Sequence, residues 1–323
     1  MAAEFQQTTR RKASPPLNRK IDNKVMTAAE AVGSLVTDEA TLGIGGQTLG
    51  RVTMSLAHEI IRQGIKDLTL VGCSMSMSMD MLVGAGLVRR TECGTGNLER
   101  IGTTMRWRRA IEEGRLEVED YSHLGMASRF LAGSLGLPFM PSKSMLGTDI
   151  LNKKNPHGRK AYELIDNPWE PGDPVVLVPA LNPDVSIIHT QKADRMGNVV
   201  IEGFTTHEVE MAKASNAVIV SCEELIDTDD VRSDPDRTTI PYIYVDAVVV
   251  QPWGAYPTST YRYYVQDEDH LRRYQSAART GGAEYDEYLR RAVYNHATFD
   301  GFLEREVGSA RLDELRATMQ TLL

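Results

Sequence analysis

The sequence predicts an α/β protein, with a largely parallel sheet, helices on both of its faces and a helical tail at the carboxyl end. Short Val-, Ile- and Leu-rich runs alternate with helical stretches of about ten residues, which is the pattern of βαβ units. Beyond residue 260 the strands stop and charged, aromatic-bearing helical sequence takes over. The 323 residues, 41% hydrophobic and 25% charged, supply enough apolar surface for one large core or two modest ones.

Residues 1–24 are basic, carry Pro15-Pro16 and have no hydrophobic period or apolar signal-peptide core, so they are expected to be a flexible extension. Order should begin near Val25, because Thr27 and Glu30 have capping-box spacing ahead of Ala31, Val32 and Leu35. Strands are then predicted over 41–44, 68–73, 87–92 and 116–121, and helices over 53–63, 79–83, 99–113 and 125–135. Leu137-Pro-Phe-Met-Pro141 interrupts this series, and the polar stretch 147–173, with Lys153-Lys-Asn-Pro-His157, reads as a surface excursion. A second series has strands over 175–179, 185–190, 199–201, 217–222 and 245–250, with a helix over 208–214. Helices over 268–280 and from 283 to the end follow. The expected organisation is therefore an extension (1–24), one α/β domain (25–260) and a helical segment (261–323) packed on the body or on a partner.

A net charge of −8 with scattered basic residues argues against nucleic acid as a partner, and no apolar run is long enough to span a bilayer. Cys73, Cys93 and Cys222 lack CxxC spacing and read as reduced core thiols of a cytoplasmic protein. Gly43-Ile-Gly45-Gly46-Gln47-Thr48 follows a strand, but Thr48 stands where a dinucleotide fingerprint needs glycine. His58-Glu-Ile-Ile-Arg62 lacks the second histidine of a zinc helix, so no metal is expected. His189, His207, His270 and His296 have no partner at ligand spacing and are read as packing histidines.

Four predicted strand ends are polar, and in open α/β sheets ligands bind at that edge. Gly45, Gly46 and Gln47 follow the first strand, where consecutive glycines let backbone N–H groups face an anion or oxyanion. Ser74 begins the Ser-Met alternation after the second, and Asn97 and Glu99 follow the third. Glu99 is either a site acid or an acidic first-turn residue favoured by the helix dipole. After the alternating strand Leu116-Glu-Val-Glu-Asp120 the chain breaks into Tyr121-Ser122-His123, and His123 is the leading candidate for catalysis. Arg100, Arg106, Arg108, Arg109 and Arg129 are further candidates for a carboxylate or phosphate, set against a plain solvated basic face.

At these residues the sequence resembles the class I coenzyme A transferases, most closely their glutaconate CoA-transferase α subunits. The likeness runs through Lys24-Val-Met-Thr27, Gly45-Gly46, Arg62-Gln-Gly-Ile-Lys-Asp-Leu-Thr69, Leu137-Pro-Phe139, Ala193-Asp194, Gly197-Asn198, Cys222-Glu-Glu224, Val245-Asp-Ala-Val-Val249 and Trp253-Gly-Ala-Tyr-Pro257. The resemblance implies the CoA-transferase fold, a CoA thioester as substrate with no permanently bound cofactor, and an α2β2 or larger assembly. The partner β subunit would carry the catalytic glutamate in a Ser-Glu-Asn-Gly type motif, which this chain lacks. Glu223-Glu224 resembles a strand-to-loop element, not a nucleophile.

The family mechanism implies CoA transfer from an acyl-CoA to a carboxylic acid through a glutamyl-CoA thioester on the partner. The backbone around Gly45, Gly46 and Gln47, with Asn97 and position 123, would then contribute donors and shape, and Ser74 and Glu99 would join Gly45, Gly46, Gln47 and Asn97 in binding substrate or CoA. Transferases of this kind tend to carry glutamine at position 123, and related ring-cleaving hydrolases glutamate; here it is His123. A neutral imidazole can replace the amide as an oxyanion donor, and it can also act as a base near neutral pH. The alternative reading is therefore a CoA-thioester or ring-opening hydrolase subunit, and the third a non-catalytic binding protein of the same architecture.

Overall fold

The structure is a computed structural model, and it describes residues 22–153 and 160–323. The expected extension up to residue 21, and positions 154–157 of the Lys-Asn-Pro-His run, lie outside the described residues. Lys24 already belongs to the body, since its N–H donates to Arg195 C=O at 2.8 Å and its ammonium to the carbonyls of Tyr242 and Val245 at 2.7 Å. The Thr27–Glu30 capping box forms as expected and starts the helix Ala28–Leu35.

Among the described residues eleven strands follow one another as β1 (Thr41–Ile44), β2 (Leu68–Met75), β3 (Val88–Gly96), β4 (Glu117–Asp120), β5 (Phe139–Ser142), β6 (Glu163–Asn167), β7 (Glu170–Pro179), β8 (Val185–Asp194), β9 (Val199–Val200), β10 (Ala217–Ile226) and β11 (Ala247–Val250). The main sheet has the order β11-β10-β8-β1-β2-β3-β4, with every pair parallel and β9 antiparallel on the β8 edge. The chain winds outward from β1 to β4, then returns to the other side of β1. The order therefore reverses between β1 and β8, and in open α/β sheets ligands bind beyond the carboxyl ends of the strands at such a switch point.

Period-two alternation feeds two cores from the same strands. On one face Leu42, Ile44, Leu70, Ile187 and Ile219 meet the helices Met54–Gln63 and Met77–Gly84 and the carboxyl-terminal helices. On the other, Val71, Ile188, Val218 and Val220 meet the helices His123–Leu135 and Glu208–Ala214. Among the described residues no helix is long and apolar enough to cross a membrane.

Three expectations about elements change. The run 175–179 lies in β7, which leaves the main sheet and pairs antiparallel with β5 and with the unanticipated β6. Burial explains it: toward its end β7 buries only alternate residues, Val176 and Val178, whereas β8 is covered on both faces as a parallel strand must be. The helix expected over 99–113 is a short turn, Glu99–Ile101, then the helix Met105–Glu112, because Gly102 at φ 131° breaks the run. The final helix is likewise divided, since Thr298 caps a new start by accepting from Gly301 N–H and Gly308 at φ 84° precedes Ser309–Leu322.

Candidate active site

The polar strand ends stand side by side at the carboxyl edge of the sheet. Thr48 N–H donates to Ser74 C=O at 3.3 Å, and Asn97 N–H to Met75 C=O at 3.2 Å, so the ends of β1, β2 and β3 are laced together. The end of β4 joins them through Gly94. A Cβ there would fall 2.3 Å from His123 Cδ2 and 2.8 Å from Cys73 C=O, so the His123 ring rests where only a glycine leaves room.

His123 is the first residue of its helix, because Ser122 caps it by accepting from Gly125 N–H at 2.9 Å and meets Ser144 Oγ at 2.6 Å. The His123 side chain is exposed and makes no hydrogen bond among the described residues. Beneath it the turn rests on buried, paired groups. Arg129 is buried, pairs with buried Glu92 at 2.8 Å and stacks its guanidinium 4.2 Å from the Tyr121 ring. Arg129 is thus a support of the turn and is not available to substrate.

The glycine loop behaves differently from its expected role. Gly45 N–H donates to Ile187 C=O at 2.9 Å, Gly46 N–H to Glu208 Oε1 at 3.0 Å and Gln47 N–H to Gly50 C=O at 2.9 Å. Its amides are therefore already used within the chain. Glu208 is fully buried and bidentate to Arg51, with both contacts at 2.7 Å. Burial by itself would raise the Glu208 carboxyl pKa, but the Arg51 charge and the donors on it hold it below the usual range. What this loop still presents is the Gln47 side chain, whose Oε1 is buried without a partner.

Ser74 lies within β2, and its buried hydroxyl is also unpartnered. Asn97 Oδ1 accepts from Glu99 N–H at 2.9 Å, which holds Glu99, exposed, in a left-handed conformation at φ 51°. The other arginines face elsewhere. Arg100 pairs with Glu268, Arg106 lies 4.6 Å over the Tyr285 ring, Arg108 pairs with Glu112 at 2.8 Å and Arg109 donates to Thr280 C=O at 3.0 Å. Three of these contacts, from Arg100 in the short turn and from Arg106 and Arg109 in the helix Met105–Glu112, reach the carboxyl-terminal layer.

The histidines separate into two kinds. His189 is bonded to Ser221 and Glu223 at 2.9 and 2.8 Å, and His270 to Tyr256 and Tyr288 at 3.2 and 2.9 Å. Those are packing residues, as the sequence suggested. His207 is 3% exposed yet neither ring nitrogen has a partner, and it stacks on Phe130 with centroids 5.0 Å apart. The sequence showed no partner spacing that would single it out. Its position before the helix Glu208–Ala214 was the available signal.

Glu223 is not free to attack anything. It is buried, and its oxygens meet His189, Trp253 N–H at 2.7 Å, Thr260 and the Tyr264 hydroxyl. No group of three or more metal-binding side chains occurs among the described residues. On the outer face of the helix that His123 begins, Leu124, Leu131 and Leu135 are 60%, 39% and 63% exposed, with Leu137 and Phe139 beyond them. These leucines share one helical face.

A family model for coenzyme A transferase matches residues 25–251. The chain belongs to the coenzyme A transferase family. It is 35% identical over 307 residues to the A subunit of glutaconate CoA-transferase from Acidaminococcus fermentans, covering 91% of this chain and 95% of that one. The crystal structure of the Acidaminococcus glutaconate coenzyme A-transferase superposes with a TM-score of 0.87 at 34% identity, over 91% of this chain and 95% of that one. The A subunit of 3-oxoadipate CoA-transferase from Pseudomonas knackmussii is 35% identical over 83% of this chain and 94% of its own length. An uncharacterized protein of Archaeoglobus fulgidus is 38% identical over 94% of this chain, and the chain spans 66% of that protein's length. The transferase fold is thus shared.

Proposed function

We propose that this chain is the α subunit of a heteromeric CoA-transferase that moves CoA from an acyl-CoA to a carboxylic acid, with the nucleophilic glutamate on a partner subunit. One observation carries the reading. At this edge Glu208 and Glu223 are buried and bonded, while the ring of the exposed His123 has no hydrogen-bond or carboxylate partner among the described residues. The exposed leucines beside His123 fit a partner covering this edge, and the glutaconate and 3-oxoadipate relatives are each named as one subunit of their enzyme.

In the proposed sequence a partner glutamate attacks the thioester carbonyl and expels CoA thiolate, forming a mixed anhydride. The thiolate then attacks the glutamyl carbonyl and releases the carboxylic acid, leaving a glutamyl-CoA thioester. The acceptor acid reverses both steps. Each attack places negative charge on an oxygen, and an N–H from His123 beside it stabilises the transition state; one such donor is worth about 3 kcal/mol.

The test is reconstitution with the partner, incubation with acyl-CoA and borohydride reduction. An adduct on a partner glutamate is expected. Absence of the adduct together with thioester hydrolysis would instead make the complex a hydrolase, with His123 as the base.

A further inference from the structure

Backbone strain is concentrated in two loops, the one after β1 and the one after β11. Of the eight non-glycine residues with φ in the left-handed region among the described residues, four lie there: Thr48 at 46° and Arg51 at 51° in the first, Trp253 at 64° and Arg262 at 71° in the second. For a β-branched or bulky residue such a φ is a true outlier. It persists only where the surroundings over-determine it, and residues of this kind gather at functional sites.

Glu223, buried in β10, is what holds Trp253. One carboxylate oxygen accepts from Trp253 N–H at 2.7 Å. The other accepts from the Tyr264 hydroxyl and lies 2.8 Å from His189 Nε2 and 3.3 Å from Thr260 Oγ1. The Trp253 ring stacks on the Tyr264 ring with centroids 4.1 Å apart, and a Cβ on Gly254 would fall 2.7 Å from His189 Cε1. A single carboxylate thus joins the start of the loop to its end, 7 to 11 residues later.

The loop closed in this way clasps the other. Ser259 N–H donates to Leu49 C=O at 2.9 Å, its hydroxyl donates to the same oxygen at 3.0 Å, and Arg51 N–H donates to Ser259 C=O at 2.7 Å. Within the clasp Gln47 and Gly50 exchange backbone hydrogen bonds at 2.9 and 2.8 Å, and Gln47 Oε1 is left without a partner. Contacts of 3.3 Å or less therefore run without a break from Glu223 to the turn that carries Gln47.

We propose that Glu223 is a positioning residue for the thioester reaction: it closes the loop after β11 on the loop after β1 and so fixes the Gln47 side chain at the carboxyl edge of the sheet. This rests on the reading of the chain as part of a CoA-thioester enzyme, and it adds a residue that acts on the site from β10. Gln47 meets the substrate, and Glu223 acts only through it.

The test is a double-mutant cycle on the reconstituted complex, read as kcat and KM for the thioester reaction it catalyses, transfer or hydrolysis. Glu223→Gln, which keeps the shape of the side chain and removes its charge, should lower kcat by about ten-fold with KM within about two-fold, and Gln47→Ala should lower kcat by a similar factor. The double variant should then be within about two-fold of the slower single one, because both changes act on one group. A merely structural Glu223 would lower the thermal midpoint without this coupling. Losses that multiply in the double variant overturn the proposal, as does wild-type kcat in either single variant. Should Glu223→Gln not assemble, Tyr264→Phe takes its place in the cycle with the same outcomes, since it deletes a donor to the carboxylate and keeps the ring stacked on Trp253. The coupling can be absent while the glutamyl adduct still forms, and present in a complex that only hydrolyses, so the two readings fail separately.

Discussion

Two turns at the same edge of the sheet are built on opposite principles. The loop after β1 turns inward: its amides are bonded within the chain, and a buried ion pair between Arg51 and Glu208 anchors it. The turn after β4 is held from beneath by Arg129, Glu92 and the Tyr121 ring, and leaves the His123 ring without a hydrogen-bond partner among the described residues. The difference shows that glycine content is a poor guide to where chemistry is presented. A buried polar network makes one turn into scaffold, and the same kind of network placed one layer lower makes the other a mount for a free side chain.

The sharpest way to break this contrast is Glu208→Ala, which strands the Arg51 guanidinium in the interior and frees Gly46 N–H. Urea unfolding should show a loss of about 3–5 kcal/mol, as removal of one partner from a buried pair typically does. Gly94→Ala acts on the other turn. Its Cβ would meet His123 Cδ2 at 2.3 Å, so turnover should fall by up to about 100-fold with a much smaller change in unfolding midpoint. Equal loss of stability and turnover would show that Gly94 serves folding alone.

Acidification probes the buried histidines as a set. Burial lowers the pKa of His58 to about 3, and of His207 and His270 to about 4, from 6.5. Their folded pKa values lie below the unfolded one, so the stability they contribute is complete above pH 6.5 and is lost as pH falls toward 4. Thermal midpoints should decline over that window. His58→Phe should flatten the decline, and an unaltered profile would exclude His58 as a contributor. The smallest effect is expected from His123→Gln. If His123 only donates a hydrogen bond, kcat should stay within about ten-fold of wild type, whereas loss at every pH would mark an acid-base role.

The main sheet was legible because strands such as 41–44 and 217–222 are bounded by turn residues and alternate with helical periods. The small sheet was not, since Glu163-Leu-Ile-Asp-Asn167 is mostly polar and its pairing with β7 comes from a contact that local pattern does not encode. At the site, Ser122 and His123 could be placed from the end of an alternating strand. The fate of the Gly45–Gln47 amides could not, because it depends on Glu208, which lies 162 positions from Gly46. Nor could the surroundings of the His207 ring, which stacks on Phe130 of the helix His123–Leu135.

The leucines beside His123 bear on how the protein can be handled. Leu124, Leu131 and Leu135 give the lone chain an adhesive stripe next to its most chemically exposed residue. Made without a partner, such a chain should self-associate through that stripe and bury its own histidine. Co-expression with the proposed partner should then raise the yield of monodisperse material, which size-exclusion chromatography of the chain made with and without it would check.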